Sequence, residues 1–447
     1  MTPLPFVRTA ALGAFFAVGI VLHPQLVAEE MLHRRADDRP VIIAAQVQKF
    51  GVQRYDSKRL ILFTDIPEKQ AHELVGLVDQ VWPQWEAQLG PIPPARDGRP
   101  FQLTGYVMRD PQVFAEAGLV QRAPSNLLHG VHKNYEFWMD DQPWDYYRRH
   151  LLLHEATHCV MMCGEDTNYP PVWFLEGMAE FFGTHDPQPK FQSGVIPPSA
   201  EAAHGFGRIE MLRNEAIAGN ALTARQVTRL GAREFSESRS TPYAWSWALC
   251  TYLARHPATR NEFRQLCRER NGTRFQVAFE RLQVAHPEVL GAEWEIYRDH
   301  LVYGYDLERQ AIQFTKSQPL SGSVACEVDA ARGWQGVGVT VTAGQPLKIT
   351  ASGRITLATT TKPWISEPSG ISIRYANQQP IGRLQGAIQR TTPAADRPAG
   401  HWEFFDLGPA CSLAAPATGT LFLRINDRSD SLSDNQGSYQ VTVSTAP

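Results

Sequence analysis

The chain has 447 residues, with 43 Lys and Arg against 46 Asp and Glu, a formal net charge of −3 and 43% hydrophobic residues. That length exceeds one ordinary domain, and two or three are expected. So balanced a composition holds no block of basic residues, which sets nucleic acid aside as a partner.

Arg8 precedes an apolar run from Ala10 to Leu22, and Gln25-Leu26-Val27-Ala28 leads into Glu29-Glu30. One positive charge, a short apolar stretch and a small residue before acidic ones read as a secretory signal over 1–28, cut after Ala28. The run is short for a bilayer span, although an uncleaved anchor is the competing reading. No later segment is apolar enough to cross a membrane, and with the signal removed the mature protein is expected to be exported: secreted, periplasmic or at the cell surface. Residues 29–58 read as a charged, loosely ordered lead-in.

A mixed α/β subdomain is expected over 59–143. Leu60–Thr64 reads as a strand, Pro67–Leu89 as an amphipathic helix with proline in its first turn, and Phe101–Met108 as a second strand. Asp110–Ala117 suits a short helix, and His129–Met139 alternates as one further strand. His129 and His132 read as surface residues.

A helical subdomain follows over 144–315. Its first helix, Trp144–Met162, carries His154-Glu155-Ala156-Thr157-His158 after the apolar Leu151-Leu152-Leu153. Four positions apart on a helix, both imidazoles leave one face and can share a zinc ion, with Glu155 beside them as a general base for water. In the apolar helix that runs from Val172 to Phe182, Glu176 and Glu180 are costly unless something positive receives them. Glu176 is read as the third zinc ligand, which leaves the fourth position for water. Glu180 is placed to accept the free ring N–H of a ligand histidine and fix its tautomer. The bland alternative makes both carboxylates solvated positions. Cys159 points away from the face of His158 and is not counted as a ligand. Cys159, Cys163, Cys250 and Cys267 are buried thiols or a pair of disulfides. From 200 to 312 the periodicity is helical, and Tyr243–Leu253 reads as a mostly buried helix.

His-Glu-x-x-His followed by Trp-Phe-x-Glu-Gly-x-Ala-Glu-Phe resembles the gluzincin zinc metallopeptidases. It is more similar still to the peptidase-MA-like group of secreted bacterial proteins. The resemblance spans Phe50 to Tyr305, with its specific part in 151–182. The separation from His158 to Glu176 is one residue shorter than in the aminopeptidase branch, and the exopeptidase motif Gly-x-Met-Glu-Asn is absent. The resemblance therefore implies an endopeptidase acting on protein or peptide. It also implies that an edge strand over the cleft pairs with substrate main chain, for which 129–139 is the candidate. Through the shared Tyr-x-x-Ser-Trp element, it assigns Tyr243 to stabilising the oxyanion. A core aromatic is the competing reading for Tyr243.

After Gln313 the texture changes to Val, Thr, Gly and Ser alternation, with strands such as Val337–Gln345 and Leu347–Gly353, as in a β-sandwich over 318–447. The whole chain is thus expected to be α+β, a zinc-peptidase domain followed by an all-β domain. Leu421–Asp427 ends in Asn426-Asp427, a loop follows, and Asp434-Asn435 opens the strand that returns as a hairpin. Asp427, Asp434 and Asn435 offer hard oxygen ligands that suit calcium; such pairs also make plain turns, and both readings stand. Trp334-Gln-Gly-Val-Gly-Val, the Ala-Gly-Gln turn and the Asn-Asp…Asp-Asn-x-Gly-Ser segment resemble the small calcium-dependent galactose-binding bacterial lectins. The resemblance implies side-chain calcium ligation by Asp427, Asp434 and Asn435, a carbonyl from Ser431, and a glycan or glycoprotein partner. Cys326 and Cys411 lie in this part and can be bridged. The competing function is a cell-surface carbohydrate-binding protein whose peptidase domain is vestigial or structural.

Overall fold

In the computed structural model, residues 32–445 are described apart from 126–128, 188–189, 206, 238–239, 360–361 and 392–399. The secretory signal read over 1–28 lies outside the described residues. The chain is α+β, with separate sheets and, among the described residues, no barrel.

Strands β1 (Gln53–Asp56), β2 (Leu60–Thr64), β3 (Leu103–Met108), β4 (Gly130–Lys133) and β5 (Glu136–Asp140) form one sheet in the order β1-β2-β3-β5-β4. The central β2, β3 and β5 run parallel, and the two edges pair antiparallel. A strand covered on both faces must be apolar throughout, and every residue of β3 is buried. One face, with Leu60, Leu62, Leu103 and Phe137, packs on helix α1 (Glu68–Leu89); the other, with Phe63, Tyr106 and Trp138, packs on Phe114.

Two expectations are corrected here. From His33 onward the lead-in is not loose. Its backbone is tied down by Arg34 N–H to Pro94 O, Arg35 N–H to Cys163 O and Glu165 N–H to His33 O, and its last part is the edge strand β1. Nor is 129–139 one strand. Asn134 adopts φ of +56°, which a short polar side chain tolerates, and the chain reverses there into the β4–β5 hairpin.

Helix α2 (Asp145–Met161) crosses beneath β4 and β5, and α3 (Val172–Gly183) packs against α2 and against α4 (Thr241–Arg255). The α3–α4 approach needs Gly177, because a Cβ there would stand 2.6 Å from Cys250 Sγ and from Ser246 O. The contact fixes the face on which α3 presents Glu176.

The C-terminal part is a sandwich of a six-stranded and a four-stranded sheet. The segment expected as a hairpin is a crossover: Gly419–Ile425 belongs to the larger sheet and Ser438–Thr445 to the smaller. A connection as long as 426–437 need not pair its flanking strands, and it spans the end of the sandwich instead. Cys326 and Cys411 sit on opposite edge strands of the smaller sheet. Three strand spacings put them about 14 Å apart, beyond the reach of a disulfide, so that bridge is corrected as well. All six cysteines are free. The sandwich is seated on the helical part through Ala292, Ile296 and Ile312 against Trp334, Trp402 and Phe422, with the Trp402 indole donating to Ala292 O at 3.0 Å.

Candidate metal centre

Helical spacing does the first part of the work. His154 and His158 rise from one face of α2 with ring centroids 4.8 Å apart, and α3 brings Glu176 between them. His154 Nε2 lies 3.2 Å from His158 Nε2, and Glu176 Oε2 lies 3.3 and 3.2 Å from the two nitrogens. Tetrahedral zinc with bonds of about 2.0–2.2 Å sets its donors about 3.3–3.6 Å apart, and the three separations lie within about 0.1 Å of the short end of that range, so the donor set fits that ion. Charge argues the same way. Arg208 pairs with Glu180, no Lys or Arg among the described residues pairs with Glu155 or Glu176, and the remaining negative charge suits a divalent cation.

Glu180 stands one turn beyond Glu176 on α3. Its Oε1 is 3.2 Å from His154 Nδ1, on the side of the ring away from Glu176, and Arg208 holds both its oxygens at 2.7 and 2.8 Å. Burial would raise the Glu180 carboxyl, but Arg208 and then His150 outweigh it and keep it ionised well below the usual range. Burial pulls the His154 imidazole down, yet the Glu176 and Glu180 carboxylates push it up to about 10. A ring so placed draws positive charge to Nε2, whether as a proton or as a metal ion. His150, one turn before His154, comes within 3.2 Å of Glu180 Oε2, which makes a second cluster of His150, His154 and Glu180. Arg208 already occupies the oxygens of that carboxylate, so the cluster with Glu176 is the better cation site.

Glu155 is 5% exposed and faces β4. Gly130 makes room for it: a Cβ at Gly130 would overlap Glu155 Oε1 and meet its Cγ and Cδ at 3.0 Å. His132, expected at the surface, points inward from β4. Its ring stacks on His158 at 4.3 Å, and its Nδ1 is 3.4 Å from Glu155 Oε2. Tyr243, at the start of α4, packs edge-on against Phe235 at 4.8 Å, with its ring 6.1 Å from that of His154. Burial, followed by the carboxylates of Glu176, Glu180 and Glu155, raises its phenol and keeps it protonated. His150 and Arg208 escaped the sequence reading, which placed His132 at the surface. The His150 spacing from His154 was a visible signal; Arg208 had none.

In the crossover loop, Asp427 and Asn435 are buried together, and the Asn435 amide donates to Asp427 Oδ2 at 3.1 Å and to Ala330 O at 3.0 Å. Asn435 Oδ1 is buried without a hydrogen-bond partner. Burial, with a smaller contribution from the nearby Asp434, pushes the Asp427 carboxyl up to about 6. A partnerless oxygen beside a carboxylate that forms no ion pair among the described residues fits a hard cation.

No protein-family model and no curated protein matches the chain. Among solved structures, the EclA N-terminal domain, a PllA-like lectin, is 25% identical over 29% of this chain and 100% of its own length, with a TM-score of 0.22. IMPa from Pseudomonas aeruginosa in complex with an O-glycopeptide is 15% identical over 54% of this chain and 23% of its own length, with a TM-score of 0.17. A second structure, of the IMPa metallopeptidase, is 16% identical with the same coverage and score. The chain thus spans about a quarter of IMPa and has a metallopeptidase and a lectin as weak structural neighbours. TM-scores this low do not establish a shared fold. No helix among the described residues is long and apolar enough to cross a membrane.

Proposed function

We propose that this chain is an exported zinc-dependent endopeptidase of gluzincin type, with His154, His158 and Glu176 as the zinc ligands. One observation carries the reading: three donor atoms of the right chemistry converge within 3.3 Å of one another, with the Glu155 carboxylate beside them. Zinc, when bound, supplies Lewis acidity that polarises a carbonyl and brings the pKa of water towards neutrality. Glu155 takes a proton from the attacking water and returns it to the departing amine. Glu180 keeps the Nδ1 proton of His154 in place, so that Nε2 is free to ligate. His132 steadies the Glu155 carboxylate from β4. The outer edge of β4 offers main-chain groups to an extended peptide, and the Tyr243 hydroxyl donates to the oxyanion.

A carbohydrate-binding role for 318–447 rests on a separate observation, the partnerless Asn435 Oδ1 beside Asp427. We assign calcium to Asp427, Asp434 and Asn435, with Ser431 as a carbonyl donor. Joined to the peptidase, such a domain directs cleavage to glycoproteins. If the peptidase part were vestigial, a carbohydrate-binding protein would remain, but a structural zinc site has no use for Glu155. Zinc analysis and peptide-library cleavage by wild type and Glu155→Gln decide between them. The proposal expects stoichiometric zinc in both proteins and cleavage by the wild type alone. Full zinc occupancy with no turnover of any peptide by the wild type would overturn it.

A further inference from the structure

Arg424 is a buried cation without a counterion. It lies on the face of the larger sandwich sheet turned towards the helical part, is 9% exposed, and stacks its guanidinium 4.5 Å above the Trp334 ring. Its Nε donates to Gln385 Oε1 at 2.9 Å. Among the described residues no carboxylate forms an ion pair with it. Asp406 is exposed, and the other end of Gln385 holds it at 3.4 Å. Burying a charge unpaired is costly, and such a group is retained where something binds it. Burial lowers this guanidinium to about 10, with only Tyr305 acting against it, and it stays charged at neutral pH.

The guanidinium opens into a cavity of about 280 Å³ between the sandwich and His300 of the helical part. Besides Arg424 and His300, aromatic and amide side chains line it, and Asp406 adds one carboxylate. Trp334 and Phe404 give aromatic surface, and Phe404 is 52% exposed despite its size. Asn377 and Gln379 bring amides. A guanidinium fork matches a carboxylate, amides match hydroxyl groups, and an aromatic face covers the apolar side of a sugar ring.

We propose that this cavity binds a carboxylated sugar of the uronic acid type, with Arg424, backed by the buried Trp334, on the carboxylate and the exposed Phe404 against the ring. The site is separate from the zinc cluster; it touches the 426–437 loop only through Asn426, which Asn377 and the Gln379 carbonyl hold.

Titration calorimetry on the full chain tests it with D-glucuronate, D-glucose and acetate, in EGTA so that calcium plays no part. Glucuronate should bind, and glucose and acetate should bind at least about tenfold more weakly. Arg424→Gln should abolish glucuronate binding. Gln385→Glu, which places a carboxylate beside the guanidinium from within, should abolish it too while raising the thermal midpoint. The second variant decides the matter if the first fails to fold. Glucose binding as tightly as glucuronate, acetate binding as tightly as glucuronate, glucuronate binding that survives Gln385→Glu, or no glucuronate binding at millimolar concentration would each overturn the proposal.

Discussion

Gly130→Ala separates the position of the general base from everything else in the centre. A methyl group on β4 would overlap Glu155 Oε1 and crowd its Cγ and Cδ at 3.0 Å, and these three atoms of Glu155 are the nearest to it. The end of a glutamate side chain yields more readily than a backbone, so the carboxylate retreats by about 1 Å to regain ordinary contact. A displacement of that size costs about 100-fold in rate, which lies within the range that general-base catalysis supplies. The assay is kcat on a cleaved library peptide, with zinc content and thermal midpoint measured alongside. Turnover should fall about 100-fold with zinc retained. Wild-type turnover in Gly130→Ala would refute the reasoning, since Glu155 could then work from another place.

Two further outcomes follow from the surroundings of the centre. Arg208→Met leaves the buried Glu180 without its bidentate partner, and the lost orientation of His154 should weaken zinc binding 10- to 100-fold in a competition titration with a chelating dye. His185 donates from Nδ1 to Gly183 O at 2.8 Å and accepts at Nε2 from Arg149, and burial lowers it to about 3. The folded chain therefore refuses a proton that the unfolded chain takes below about pH 6.5, so stability falls as pH drops through the window from about 6.5 to 3. His185→Phe should flatten the slope of unfolding free energy there by up to about 1.4 kcal/mol per pH unit, and an unchanged slope would contradict this assignment.

What the sequence revealed depended on how local the signal was. The α2 histidines and the α3 glutamates are four apart, and helical geometry alone puts each pair on one face. Strand β2 announced itself through the apolar run Leu60-Ile61-Leu62-Phe63, whereas the polar edge strand β1 gave no such signal. His132 was misplaced because its inward orientation depends on a hairpin turn at Asn134, and one alternating run does not reveal a reversal inside it. Arg208 belongs to the centre only through packing between distant segments. The Asn426-Asp427 and Asp434-Asn435 pairs suggested a hairpin because both flank a loop, but loop length decides which sheet each strand joins. The cysteine bridge failed for a similar reason, since spacing along the chain says nothing about position across a sheet.

The most direct test of the centre is anomalous scattering at the zinc edge from crystals of the full chain. The account predicts one peak within about 2.2 Å of His154 Nε2, His158 Nε2 and a Glu176 oxygen. A peak held instead by His150, His154 and Glu180, or zinc-loaded protein with no peak between α2 and α3, would contradict it.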